Sequence, residues 1–209
     1  MKILGIGPHP DDLEFGCGGT LQKMAAGGHK IHMLVMTQGS VGGDPRVRLA
    51  EQKRAAAMLK ARLYWGGFED TGVTLTRELI RTVERHMEEI KPDVVFVNHA
   101  ADTHQDHRSV AKAVETAARY AKNLLFYEVP TTMDFNPGVF VDIGPVITRK
   151  VNLLKCHRSQ VYKTRVKNLS IIESAKATAM FRGYQDRVKY AEGFVPRRLL
   201  LDYLLDCGK

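Results

Sequence analysis

Apolar residues along this chain fall into short continuous runs, and the longer stretches between them carry apolar positions at helical spacing. Lys2–Gly7 (KILGIG), Ile31–Met36, Asp93–Asn98 (DVVFVN) and Leu124–Glu128 read as buried strands, with Arg62–Trp65 a shorter one. Between them, Gly16–Gly28, Arg46–Lys60, Leu75–Ile90 and His107–Ala121 read as helices. The third of these shows the period most plainly, with apolar residues at 79, 80, 83, 87 and 90 and a stop at Pro92. Strands alternating with amphipathic helices predict βαβ units, hence an α/β fold with a mostly parallel sheet covered by helices on both faces. Beyond Pro130 the pattern weakens. Val139–Ile143 reads as an edge strand, and Ile147–Lys155 and Ser170–Phe181 as helices. Without an internal repeat or a low-complexity linker, residues 1–209 are expected to form one domain.

In open parallel sheets, ligands bind beyond the carboxyl ends of the strands. The segments that follow the first four predicted strands are GPHPDD, TQGSVGGD, GGFEDTG and NHAADTHQDH, the most polar or Gly-rich loops of the chain. Two of them hold histidine–carboxylate clusters, His9-Pro10-Asp11-Asp12 and His104-Gln105-Asp106-His107. A catalytic zinc takes three His or carboxylate ligands and keeps a fourth position for water. His9, Asp12 and His107 supply such a set. Asp11, next to a ligand in a tight turn, can face that water and take its proton as a carbonyl is attacked. Alone, either cluster reads as a capped turn or a surface pair; the two together, each after a central strand, make a site. The HExxH arrangement of zinc proteases is absent. Gly5-Ile-Gly7 starts a dinucleotide-binding pattern, but Pro10 stands at its third glycine.

The other histidines read more plainly. His29 and His32 flank a strand, His86 falls on a helix without an obvious partner, and His99 ends a strand near the site. His157 suits packing or hydrogen bonding around the site rather than ligation.

Composition narrows the setting. Hydrophobic residues are 44% and charged residues 26% of the 209, the balance of a soluble globular protein. No apolar run is long enough to span a bilayer, and the start lacks the features of a secretory signal. The three cysteines, Cys17, Cys156 and Cys207, form no disulfide framework, so a reducing cytoplasm is expected. The net charge of +8 is spread over modest clusters without a nucleic-acid-binding motif, which suits a basic surface and no nucleic-acid or membrane partner.

The chain resembles the LmbE-like, or PIG-L, superfamily of zinc-dependent N-acetylglucosaminide deacetylases. The resemblance lies in His9-Pro-Asp-Asp12 followed by LEFGCGGT, Arg48-x-x-Glu51, Glu-Asp70-Thr-Gly72 and His-Gln-Asp-His107-Arg. It continues thinly to Cys156-His157-Arg158-Ser159-Gln160. It implies a Rossmann-like fold, zinc on His9, Asp12 and His107, and Asp11 as general base. It also implies a protonated His104 that steadies the oxyanion or acts as acid, with Asp106 orienting it, and Arg48 and Asp70 at sugar hydroxyls or a polar aglycone. Homo-oligomers are common in the family. Gln105 departs from a proline frequent in the second motif, which predicts a looser loop, and no tyrosine occurs within Asn98–Thr103.

The reaction this implies is hydrolysis of an N-acetyl amino sugar to acetate and a free amine. Three other readings stay open: an amidase acting on a non-sugar N-acyl group, a metal- or ligand-binding relative without turnover, and a basic nucleic-acid-binding domain. Fe2+ is an alternative to Zn2+, because His/carboxylate sites accept several divalent ions.

Overall fold

The computed structural model describes residues 1–200; Cys207 lies outside them. Seven strands, β1 (Lys2–Gly7), β2 (Lys30–Thr37), β3 (Arg62–Phe68), β4 (Val94–Asn98), β5 (Leu124–Tyr127), β6 (Val139–Asp142) and β7 (Ala191–Arg198), form one sheet. Its order is β3-β2-β1-β4-β5-β7-β6. The first five strands run parallel, and β7 is antiparallel to both β5 and β6. The helices are α1 (Asp12–Gly16), α2 (Gly18–Ala26), α3 (Pro45–Met58), α4 (Arg77–Ile90), α5 (Gln105–Ala117), α6 (Ile147–Cys156) and α7 (Ile171–Gln185).

Strand side chains alternate between faces. Ile3, Met33 and Phe96 pack into a core shared with Leu13, Leu21, Ala55 and Leu154 of α1, α2, α3 and α6. Leu4, Leu34 and Val95 pack against Leu79 and Val83 of α4 and Val110 and Val114 of α5. Both faces are therefore covered, as the continuous apolar runs predict, and the fold is a Rossmann-like α/β sheet. Among the described residues no helix is long and apolar enough to cross a membrane.

Two elements differ from the sequence reading. The helix expected over 16–28 is α2, Gly18–Ala26, and a separate short helix, α1, precedes it across a break at Cys17. Just before the break, only glycine fits: a Cβ on Gly16 would lie 2.0 Å from the Tyr127 ring, whose hydroxyl donates to the Ile6 carbonyl at 2.9 Å. The restarted α2 presents the amides of Gly19 and Thr20 to the Glu192 carboxylate (2.8 and 2.7 Å), which also pairs with Lys150. This is an anion at a helix N-terminus. The second difference is β7 itself, where Glu192, Gly193 and Pro196 interrupt any apolar alternation. It pairs on both sides and leaves β6 at the edge, where an edge strand was expected.

The strand order reverses between β1 and β4, so the loops leaving their carboxyl ends diverge and open a crevice. Both histidine–carboxylate clusters sit there.

Candidate active site

The turn after β1 places His9, Asp11 and Asp12 by an unusual backbone. Asp11 has φ 94°, a left-handed conformation that costs a non-glycine residue roughly 1–3 kcal/mol. Its neighbours on α3 hold the turn in place. Arg48 Nη2 donates to the Pro10 carbonyl at 2.7 Å, and the Asp11 amide donates to Gln52 Oε1 at 3.3 Å. Arg48 and Gln52 are one helical turn apart, so a single face of α3 grips the loop. Below them Gln52 donates to Glu14 at 2.7 Å, and the buried His157 lies 3.5 Å from the same carboxylate oxygen.

Three donor atoms converge in the crevice. His9 Nδ1 lies 3.4 Å from Asp12 Oδ2 and 3.2 Å from His107 Nε2, and His107 Nε2 lies 3.4 Å from Asp12 Oδ2. A zinc ion held tetrahedrally at about 2.0–2.1 Å needs edges of roughly 3.3–3.4 Å between its ligand atoms. The three atoms fit one such ion. His104 also comes within 4.8 Å of the other two imidazoles, and His9, Asp70 and Asp106 form an adjoining group of the same span. The two groups share His9, the triad through Nδ1 and the second group through Nε2.

Both imidazoles of the triad are backed by carboxylates. His9 Nε2 lies 3.0 Å from Asp106 Oδ2 and 3.1 Å from Asp70 Oδ1, and His107 Nδ1 lies 3.1 Å from Asp102 Oδ2. Such partners fix ring orientation and tautomer and raise ligand basicity. The carboxylates are fixed in turn. Asp70 accepts from the Val41 amide (2.7 Å), Asp106 from the Thr71 and Val73 amides (2.8 and 3.1 Å), and Asp102 from the His104 amide (2.8 Å).

The titration of these groups reflects the crowding of charge. Burial works against a proton on His107, yet Asp12 and Asp102 raise its pKa to about 9. His9 is raised well above its usual value against the same burial, mainly by Asp106, Asp12 and Asp70. Asp12 is pulled far down by His107 and His9 although burial opposes it. The site demands positive charge, which protons supply in the metal-free chain and a cation would replace. Asp11 behaves differently: burial raises its pKa to about 6, Arg48 opposing and Asp12 adding to the rise. Its side chain is still 24% exposed.

Five residues singled out in the sequence have particular settings in the structure. Arg48, expected at substrate hydroxyls, is buried, with Nη1 on the Gly39 carbonyl (2.9 Å) and Nη2 on Pro10 and 3.4 Å from Asp11 Oδ2. Asp70, expected likewise, faces His9. The Asp106 carboxylate orients His9 rather than His104; only its backbone amide reaches His104, donating to Nδ1 at 3.2 Å. His104 is therefore held below, not above, its usual pKa, by burial and then by the charges on His9 and His107. Gln105, which stands where a proline is frequent, ties its loop to the next one through its amide, which donates to the Thr71 carbonyl at 3.2 Å.

Asp102, Glu14 and Gln52 were missed by the sequence reading. Asp102 carried one signal, an Asp two residues before a helix-capping His, where its carboxylate takes the His104 amide. Gln52 is four residues from Arg48 on one helix face. Nothing local distinguishes Glu14. His99 makes ring contacts with Phe126 and Phe135 and accepts from the Ala101 amide, apart from the cluster. His86 is buried against Tyr64, with Nδ1 on the Thr82 carbonyl.

Comparison with known proteins places the chain among relatives. The GlcNAc-PI de-N-acetylase (PIG-L) family profile matches residues 4–118. The uncharacterized deacetylase YaiS of Escherichia coli K12 is 36% identical over 167 residues, covering 75% of this chain and 90% of YaiS. The diacetylchitobiose deacetylase of Thermococcus kodakarensis is 29% identical over 228 aligned positions, covering 93% and 83%. Among solved structures, the conserved protein TT1542 of Thermus thermophilus superposes with a TM-score of 0.86 at 29% identity, covering 95% and 96%. The chain belongs to the PIG-L, or LmbE-like, family of de-N-acetylases.

Proposed function

We propose that this protein is a zinc-dependent hydrolase that removes the acetyl group from an N-acetylated amino sugar, releasing acetate and a free amine. The proposal treats residues 1–209 as one catalytic domain. The observation that carries it is the triad His9 Nδ1, Asp12 Oδ2 and His107 Nε2 at ion-binding spacing, with the Asp11 carboxylate next in the same turn and outside the triad. A binding protein has no use for Asp11 in a strained turn. The named relatives supply the bond type, since the Thermococcus enzyme is a deacetylase of diacetylchitobiose.

When bound by His9, Asp12 and His107, a divalent ion supplies Lewis acidity, polarising the amide carbonyl and acidifying a water. Asp11, with a pKa near 6, is mostly ionised at neutral pH and close enough to it to pass a proton both ways. It takes the proton from the attacking water and returns it to the departing amine nitrogen. Arg48 and Gln52 keep Asp11 in place through the turn rather than touching substrate. His104 accepts the Asp106 amide at Nδ1, which assigns its neutral form a proton on Nε2. As a neutral donor lining the cleft, His104 stabilises the oxyanion that develops on the carbonyl oxygen.

The test is release of free amine from N-acetylglucosamine and diacetylchitobiose by chelated and zinc-restored protein. Release abolished by chelation and recovered with zinc is expected. Undiminished release from protein proved free of metal would overturn the proposal, and Fe2+ restoring more activity than Zn2+ would reassign the ion. The proposal includes cytoplasmic self-association, the assembly being read by light scattering of the purified chain.

A further inference from the structure

The cleft that reaches Asp12, His104 and His107 has a volume of about 260 Å³, and its far wall is hydrocarbon. Val129 and Pro130, after β5, form one side; Val166, Leu169 and Ile171, before and at the start of α7, form the other. Beyond the metal-side residues, the wall offers only the hydroxyls of Thr131, Thr164 and Ser174. One of these is already engaged: Thr164 Oγ1 donates to the Leu169 carbonyl at 2.7 Å. Among the described residues no amide side chain, cation or further carboxylate lines it. A wall that reads sugar hydroxyls needs placed donors and acceptors, because a hydroxyl against carbon loses its water without replacement.

The wall is also built, not a loose flap. The Val166 amide donates to Thr164 Oγ1 (3.2 Å) and the Ile171 amide to the Val161 carbonyl (2.8 Å). On the other side the Val129 amide donates to Thr132 Oγ1 (2.9 Å), whose hydroxyl reaches Asp102 Oδ2 (3.1 Å). Asp102 in turn orients His107, so the apolar wall and the metal side share one anchor.

We propose that this wall is a subsite for an aliphatic group of the substrate, carried either on the acyl carbon beyond a simple acetyl or on an alkyl aglycone beside the amine. The chemistry is the same in both cases, a chain of a few methylenes lying against Val129, Val166, Leu169 and Ile171 within reach of the scissile amide. The inference rests on the deacetylase reading of the site, and its test is chosen to be independent of turnover.

Two series of product analogues would be titrated by calorimetry into the zinc-loaded full chain. One runs from acetate through propionate and butyrate to hexanoate, the other from methyl through butyl to hexyl glucosaminide. Burying a methylene improves affinity about three- to fourfold, and that gain per carbon is expected in one series, which then names the source. Leu169→Ser is expected to reduce the gain, and so is Val166→Ser, at a position 58% exposed where folding is not at stake. Flat affinities in both series, or a gain that neither substitution alters, would overturn the subsite. Rising affinities without any turnover of N-acetylglucosamine would leave the subsite standing and sink the deacetylase reading; turnover with flat affinities would do the reverse.

Discussion

The crevice has two sides built on opposite principles. The metal side comes from the loops after β1 and β4 and is polar yet buried: His9, Asp12, Asp102, Asp106 and His107 are each at most 8% exposed and hydrogen-bonded to one another. The wall side comes from residues 129–131 and 164–174 and is apolar yet partly exposed, with Val166 58% accessible. Buried charge is tolerated only where every group has its partner, so on the metal side one residue change disturbs several others. Aliphatic contacts are non-directional and additive in area, so on the wall each residue acts nearly alone. Chemistry is therefore assigned to the rigid side and substrate preference to the tolerant one.

The largest effect should come from Asp11, which sits on the metal side without being a ligand. Asp11→Asn keeps the shape of the turn and removes the base, so kcat should fall about 10²–10⁴-fold while zinc content stays at one per chain. Metal analysis of the dialysed variant beside its kinetics checks this. Parallel loss of zinc would move Asp11 into the ligand set.

The next effect is on stability and depends on pH. His107 has its pKa raised to about 9 in the metal-free fold, above the ordinary value of about 6.5. Its contribution is complete below about pH 6.5 and is lost as pH rises through 9. A shift of that size corresponds to on the order of 3 kcal/mol. Chelated protein should therefore show a falling urea midpoint between about pH 6.5 and 9. Zinc-loaded protein should not, because the imidazole is then held neutral by the ion. Equal slopes for the two forms would mean that His107 is no ligand.

Third comes the shared anchor. Asp102→Asn removes the charge behind His107 and should weaken zinc affinity about ten- to hundredfold, read by competition with a chelator of known affinity. An unchanged affinity would separate Asp102 from the metal side and leave it as a tie for the wall loop alone.

The same contrast explains what was legible in the sequence. The parallel strands announce themselves because burial on both faces demands continuous apolar runs such as Val94–Val97. The candidate ligands announce themselves because few side chains bind a divalent ion, and both clusters follow central strands. The surroundings of Arg48, Asp70 and Asp106 were not legible, because they include contacts 29 to 97 residues away along the chain. The demand for glycine at Gly16 comes from the Tyr127 ring, more than a hundred residues on, and β7 depends on pairing with β5 and β6 rather than on its own composition. The wall gave no chemical signal at all, since Val166, Leu169 and Ile171 read as ordinary apolar residues until folding sets them opposite Val129.

The smallest expected effect tests whether the two sides are as independent as this contrast implies. Lys163 Nζ donates to the Gly42 carbonyl at 2.6 Å, tying the segment that carries the wall to the Gly-rich loop after β2. That loop in turn touches the metal side, because the Gly39 carbonyl receives Arg48 and the Val41 amide binds Asp70. Gly39 has no alternative there: it has φ 66°, and a Cβ on it would lie 1.9 Å from Arg48 Nη1. The Lys163 bond is exposed, so its loss should cost no more than about 1 kcal/mol of stability. If the wall positions substrate while the metal side performs the reaction, Lys163→Ala should raise KM by roughly two- to fivefold, with kcat and zinc affinity unchanged. A fall in kcat with constant KM would show that the strain reaches Asp11 through Gly39 and Arg48, and the two sides would then have to be treated as one coupled unit.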